Sequence, residues 1–376
     1  MNRAARLSRR TGASKKGKTK ISPDGNGQAL ADPLRVGLCG IGRAGMGMVQ
    51  RDFLRLPYVK VVAAFDLLAE RARELSQLCG SRCCDSFVQL LEDEEVELVI
   101  IATRSHEHVP MAIRAMKAGK DVLVEKPIAI DLAGADKLIA AAKKLKRQLF
   151  VRQNRRFDAP FLQAMEVLAT GKLGKLFAVQ LRQGRYQRRA DWQTLKKYGG
   201  GQLLNWGPHL VDWAMQLIGG KARDVWADLK RIAAAGDAED YVKIMIRGAT
   251  GIQADIEICA AASISQPPWI LMGSRGTLVI DGQNQCHLRY FESGKLPKLK
   301  ASDRTPGGPD RMRYGVGDKI DWIEEKFPVA PLKPRNFWQE LHAAIRGAGD
   351  FEVTLHQVRE NMRVIDLARK RSGFYS

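Results

Sequence analysis

The sequence predicts an α/β protein, with a doubly wound parallel sheet first and then an α+β unit on a largely antiparallel open sheet. Three observations carry this. Short runs of continuous apolar residues alternate with helical patterns from Leu34 to about Asn154, as expected of strands buried on both faces of a parallel sheet. A Gly-x-Gly-x-x-Gly run, Gly40-Ile41-Gly42-Arg43-Ala44-Gly45, joins the first strand to the first helix. Beyond Asn154 strand-like segments follow one another without intervening helices, the order typical of an α+β layer. A chain of 376 residues is long enough for two domains. The expected division is a tail over 1–33, a first domain over 34–154 and a second over 155–376.

In order, 34–39 reads as a buried strand and the residues after Gly45 as a helix through Met48, Val49, Phe53 and Leu54. A strand over 59–65 ends at Asp66, and a helix follows over 69–78. The apolar run 97–102 is a strand that ends at Thr103. The helix over 108–118 stops at Gly119, a residue suited to the left-handed C-cap. A strand over 121–124 runs into Glu125-Lys126-Pro127, a helix spans 132–145, and 148–151 is the last strand of the first unit. The second unit opens with a helix over 161–169. Strands are expected at 175–183, 241–246, 251–259 and 277–280, and closing helices at 337–345 and 355–370. Residues 296–329, charged and rich in Pro and Gly, read as an extended surface excursion. No internal repeat is present.

The glycine run has the strand before it and the helix after it that a Rossmann dinucleotide turn needs. Gly40 permits the tight turn, Gly42 lets the backbone approach a pyrophosphate, and Gly45 lets helix and strand pack closely. The helix N-terminus then presents free N–H groups and the positive end of its dipole. Asp66, at the end of the second strand, suits the ribose hydroxyls and repels a 2′-phosphate. The expected cofactor is therefore NAD. Arg43, Arg71 and Arg73 could offset that repulsion and leave NADP open.

The formal net charge is +20, and 45% of residues are hydrophobic. Part of the charge is local: Arg3, Arg6, Arg9, Arg10, Lys15, Lys16, Lys18 and Lys20 face a single acid, Asp24. This stretch reads as a disordered basic tail, with non-specific anion or nucleic-acid attraction as the alternative. Ser8-Arg9-Arg10 resembles a fragment of a twin-arginine signal, but no apolar region follows it, so export is not expected. No apolar run approaches the ~20 residues of a membrane helix. The cysteines Cys39, Cys79, Cys83, Cys84, Cys259 and Cys286 lack metal-ligand spacing, and reduced thiols in a cytoplasmic protein are expected. His106 and His108 have no third ligand nearby, so no metal is expected.

A strand entering Glu-Lys-Pro behind this glycine fingerprint resembles the glucose–fructose oxidoreductase / inositol dehydrogenase (Gfo/Idh/MocA) family. The likeness continues through Asn154-Arg155-Arg156-Phe157 and Gly199-Gly200-Gly201. It extends through Gly207, His209 and Asp212 to Met272-Gly273-Ser274-Arg275-Gly276-Thr277-Leu278. The resemblance implies that Lys126 is the catalytic lysine, and that Thr103, His108, Glu125, Lys126 and Asn154 join the glycine turn and Asp66 around the cofactor. Glu125 is expected to be structural or cofactor-facing. The chemistry is consistent: oxidising an alcohol needs a base for its proton, and a lysine can serve when burial and nearby positive charge lower its pKa. Pro208 suits the first turn of a helix, which places His209 where the dipole favours a neutral, proton-relaying ring.

Two departures from the family pattern stand out. Asn205 occupies the position of an Asp in D-x-G-x-H, and an amide can orient His209 but cannot accept a proton. Arg104-Ser105 replaces the common Pro-Asn after Thr103. Arg156, Tyr186 and Trp192 are expected at the substrate, with Asp212 either beside them or paired locally. The resemblance thus implies an NAD(P)-dependent oxidoreductase acting on a secondary alcohol or ketone of a small-molecule sugar or polyol, as a homo-oligomer, dimer or tetramer. Two rivals remain: an enzyme that keeps and recycles its NAD, and a silent dinucleotide-binding regulator. Nucleic-acid binding through the tail is a third idea, predicting steep salt dependence.

Overall fold

The computed structural model describes residues 32–294, 296, 298, 301, 303 and 320–375. All but the last two residues of the expected basic tail, and most of the expected excursion, lie outside the described residues.

The first sheet contains β1 (Leu34–Cys39), β2 (Val59–Phe65), β3 (Arg82–Cys83), β4 (Leu98–Ile101), β5 (Asp121–Glu125) and β6 (Leu149–Arg152). Its order is β3-β2-β1-β4-β5-β6, and every pairing is parallel. The connecting helices are α1 (Arg43–Met48), α2 (Ala69–Cys79), α3 (Phe87–Glu92), α4 (His108–Lys117) and α5 (Leu132–Leu145). All four residues of β4, Leu-Val-Ile-Ile, are buried, because helices cover both faces of the sheet. Strand order reverses between β1 and β4. A crevice opens at the carboxyl ends of strands at such a switch point, here between Gly40 and Thr103.

After α6 (Ala159–Ala169) comes β7 (Leu176–Gly184), then two helices, α7 (Gln202–Asn205) and α8 (Gly207–Leu217). Seven further strands follow: β8 (Ala222–Lys230), β9 (Tyr241–Gly248), β10 (Gln253–Cys259), β11 (Trp269–Gly273), β12 (Gly276–Ile280), β13 (Gln285–Tyr290) and β14 (Ile323–Pro328). With β7 they form one sheet of order β14-β13-β12-β11-β7-β10-β9-β8, antiparallel except for β7 beside β10. In β10 alternate residues Ala254, Ile256 and Ile258 are buried, the period expected when helices cover one face only. Strand β14 corrects the reading of 296–329 as surface excursion throughout. Its residues pair with β13, but its charged, half-exposed sequence Ile-Glu-Glu-Lys-Phe-Pro hides the strand period.

The closing helices are α9 (Phe337–Ile345) and α10 (Leu355–Arg371). They do not stay with the second sheet alone. Phe337, Trp338 and Leu341 join a core with Leu34, Met48, Phe53 and Ile100 of the first unit, and Trp338 Nε1 donates to Asp52 at 2.9 Å. Helix α10 lies against both α5 and β8. The expected second domain over 155–376 therefore sends α9 back onto the first unit and lays α10 across both.

Candidate active site

A cleft of about 540 Å³ opens between the carboxyl ends of the first sheet and the loops around α7. Its floor is the glycine turn. Gly40 has φ +91°, and a Cβ there would lie 2.6 Å from the Ala102 carbonyl carbon, so only glycine lets the turn after β1 pass this close to the backbone leaving β4. A Cβ on Gly45 would lie 2.1 Å from the Gly40 oxygen, which explains its place in the helix–strand contact. At Gly42 an added Cβ would meet nothing within 4 Å, and this residue caps α1 without any side-chain hydrogen bond. The arrangement is an open cradle before a helix N-terminus, and it fits a pyrophosphate. Gly42→Val should leave thermal stability unchanged and weaken NAD⁺ binding by about two decades in Kd, measured by titration calorimetry.

Asp66 lines the cleft. Its carboxylate accepts from the Ile41 N–H at 2.6 Å and the Leu68 N–H at 2.9 Å, with Arg71 3.6 Å away. Ile41 itself is buried and contributes only its backbone. Arg43 and Ala44 line the cleft above the turn. The Arg43 guanidinium crosses the mouth and donates to Gln193 Oε1 at 3.2 Å.

On the opposite wall β5 delivers Glu125 and Lys126. Glu125 is buried, accepts from Arg152 at 2.6 Å and from the Lys126 N–H at 3.1 Å. Its charge is thus neutralised from behind. Lys126 Nζ donates to the Asn205 carbonyl at 2.7 Å. Burial pushes the Lys126 amine down to about 8, against an upward pull from Glu125, while Arg155, Arg43 and Arg152 depress it further. Such an amine is poised for proton transfer near neutral pH.

His209 stands in the first turn of α8, as its following Pro208 predicts. Burial first, then the charges of Lys126, Arg155 and Arg152, hold its pKa well below the usual range, so the ring is neutral. Its Nδ1 is buried without a hydrogen-bond partner. The expected orienting contact from Asn205 is not made. Asn205 ends α7, and its amide faces Gln193 at 3.5 Å and Gln202 at 3.4 Å, while its main-chain oxygen serves Lys126.

Other expectations are redistributed. Thr103 lines the cleft, and its carbonyl lies 3.2 Å from His108 Nε2, whose Nδ1 lies 2.7 Å from the Pro127 carbonyl. His108 thus braces the loops after β4 and β5 instead of offering a free ring nitrogen. Trp192 lines the cleft, but Asn154 and Tyr186 do not; Tyr186 is 60% exposed. Next to Asn154, the buried Gln153 makes the crossing contact, donating to the Pro208 carbonyl at 2.8 Å. Arg156 and Asp212 are also removed from the cleft. Each is 1% exposed, and they form a two-pronged ion pair at 2.7 and 2.5 Å. Asn361 donates to the same carboxylate at 2.7 Å. Both charges are consumed inside the protein, which leaves neither for a substrate. Gln193, in the short 3-10 turn Trp192–Thr194, is a functional contact that no local sequence signal marks.

Residues 34–153 match the model of the oxidoreductase family with an NAD-binding Rossmann fold, and residues 161–279 match the GFO/IDH/MocA C-terminal domain. The chain belongs to the Gfo/Idh/MocA oxidoreductase family. It is 30% identical to the uncharacterized oxidoreductase YdgJ of Escherichia coli K12 over 295 residues, covering 74% of this chain and 79% of YdgJ. It is 27% identical to myo-inositol 2-dehydrogenase of Thermotoga maritima over 256 residues, covering 66% of this chain and 75% of that enzyme. The crystal structure of an NAD-binding protein from Listeria innocua superposes with a TM-score of 0.77 at 26% identity, covering 91% of this chain and 95% of that one. As a Gfo/Idh/MocA oxidoreductase the protein has an NAD-binding Rossmann domain, and the open cradle at Gly42 is the place its residues offer to the dinucleotide.

Proposed function

We propose that this oxidoreductase interconverts a secondary alcohol and a ketone on a sugar, polyol or derivative, with Lys126 as the acid/base group. The observation that carries the proposal is the Lys126 amine, lowered to about 8 and fixed by the Asn205 carbonyl at the wall facing the glycine turn. The dinucleotide, when bound, supplies the hydride acceptor. Lys126 takes the hydroxyl proton at its neutral Nζ in oxidation and returns it to the carbonyl oxygen in reduction. His209, neutral and in the first turn of α8, passes that proton onward. Asn205 contributes its main-chain oxygen in place of the carboxylate expected there. Trp192, which lines the cleft, is an aromatic side chain suited to a sugar face. The polyol class draws support from the likeness to myo-inositol 2-dehydrogenase.

NAD is the preferred cofactor in this reading, since the Asp66 carboxylate lines the cleft where a 2′-phosphate would meet it. Arg71 beside it leaves NADP as the alternative. Asp66→Ala should weaken NAD⁺ about tenfold and NADP⁺ less. The reading also places the protein in the cytoplasm, consistent with free thiols at all six cysteines; among the described residues no helix is long and apolar enough to cross a membrane. It also makes the protein a homo-oligomer. The uncovered face of the second sheet carries a row in which Trp226, Met245, Ile270 and Val279 lie in register with Asp255 and Gln180. That row suits a second copy of the chain.

The test is titration with NAD⁺ and NADP⁺, then nicotinamide absorbance during a panel of polyols and sugars. NADH formation on some member is the expected result. A second reading, an enzyme that retains and recycles its nicotinamide, is favoured by the Arg43–Gln193 bridge across the cleft mouth. It predicts nucleotide binding and substrate conversion without NADH accumulation. Binding with no conversion of any compound would instead favour the silent regulator.

A further inference from the structure

Behind the cleft, a buried carboxylate holds the single turn on which Lys126 depends. Helix α7 has only four residues. At its start Gly201 has φ +103°, and a Cβ there would lie 2.2 Å from Glu239 Oε1, so the turn is pressed directly onto that carboxylate. Glu239 Oε1 accepts from the Leu203 N–H at 2.8 Å, and the Glu239 carbonyl accepts from the Gln202 N–H at 3.0 Å. At the far end of the same turn the Asn205 N–H donates to the Gly201 carbonyl at 3.0 Å, and the Asn205 carbonyl receives Lys126 Nζ at 2.7 Å. Glu239 is in turn held by the C-terminal segment, where the Tyr375 hydroxyl donates to Oε2 at 2.5 Å.

Tyr375 is itself fixed. Lys196 Nζ lies 4.5 Å from its ring centre and donates to the Phe374 carbonyl at 3.0 Å, and Arg369 stacks on the ring from 4.9 Å. Burial, reinforced by the facing carboxylate, raises the Tyr375 pKa, so its hydroxyl remains a donor. Neither Glu239 nor Tyr375 lines the cleft.

We propose that Glu239 and Tyr375 are positioning residues for Lys126, acting through α7 to fix the Asn205 carbonyl that holds Nζ. The inference rests on Lys126 being the acid/base group. A turn this short has no independent stability, so its geometry is set by what grips its ends. Releasing the Leu203 N–H lets the turn relax and moves the carbonyl from Nζ. A carbonyl accepting from an ammonium stabilises the charged form, so its loss lowers the amine's pKa.

The groups facing Lys126 are Glu125 beside it, Arg152 from β6, Arg155 from the turn beyond, Arg43 from α1 and His209 from α8. The test leaves all of them in place. In the full-length protein, Lys126 reactivity toward trace acetic anhydride is followed against pH, and its peptide is quantified by mass spectrometry. The wild-type amine should titrate near 8. In Glu239→Ala and in Tyr375→Phe the midpoint should fall, by on the order of half a unit in the former. Glu239→Gln, which keeps an acceptor for the Leu203 N–H, should restore it. If Glu239→Ala does not fold, Tyr375→Phe and Glu239→Gln carry the comparison, since each alters one polar group. A midpoint unchanged or raised in Tyr375→Phe, or lowered in Glu239→Gln as far as in the other variants, overturns the proposal. A wild-type midpoint at the ordinary lysine value overturns the acid/base reading beneath it, a separate and recognisable failure.

Discussion

Lys126→Ala should reduce alcohol oxidation by about 10²–10⁴-fold, the range that a positioned general base contributes. Binding of NAD⁺ should persist, because the cradle at Gly42 and the Asp66 contacts lie on another wall. The pH dependence gives the sign. In the proposed role the neutral amine is the base, and it is populated above about 8, so oxidation by the wild-type protein should climb as pH rises through that value. Ketone reduction uses the protonated form and should decline over the same interval. A variant that retained the wild-type rate and the same limb would remove Lys126 from the chemistry. Glu125 contributes less than its position suggests, since Arg152 meets its carboxylate at 2.6 Å.

Arg156→Ala should cost about 3–5 kcal/mol of folding stability, the usual result of leaving one member of a buried ion pair uncompensated. Among the described residues, the Asp212 carboxylate would keep the Asn361 amide as its hydrogen-bond donor, at 2.7 Å, in a site that is 1% exposed. Thermal and urea unfolding would measure the loss. Substrate contact by Arg156 would give the opposite pattern, with stability kept and KM raised. The pair also ties the segment after β6 to α8, the helix that carries His209, so activity should fall as the fold loosens.

Much of this architecture was legible in the sequence for physical reasons. Strands buried on both faces must be apolar throughout, which exposed β1, β2, β4 and β5. The turn at Gly40 and Gly42 has requirements that only glycine meets. The Glu-Lys-Pro run at the end of a strand singles out Lys126 in the sequence itself. Edge strands such as β14 were hidden because one-sided exposure permits charged residues. The roles of Arg156, Asp212 and Asn205 were hidden for a different reason. A charged side chain near a motif looks the same in sequence whether it meets a ligand or a buried partner. Asn205 acts on Lys126 through its main chain, which residue identity does not report. Gln193 and Glu239 depend on contacts between segments far apart in the chain.

The return of α9 to the first sheet has a consequence for biogenesis. Phe337, Trp338 and Leu341 complete an apolar face whose other residues, among them Leu34, Phe53 and Ile100, belong to the first strands and helices. On a ribosome those early residues emerge long before their lid does. At about 5–20 residues per second, the stretch separating Arg152 from Phe337 takes roughly 10–40 s to translate. Through that interval the nascent nucleotide-binding half carries a greasy flank, the kind of surface that chaperones shield. Release of a fragment ending before α9 would leave that flank permanently bare, so such fragments should accumulate as aggregates even though every strand of the first sheet has been made.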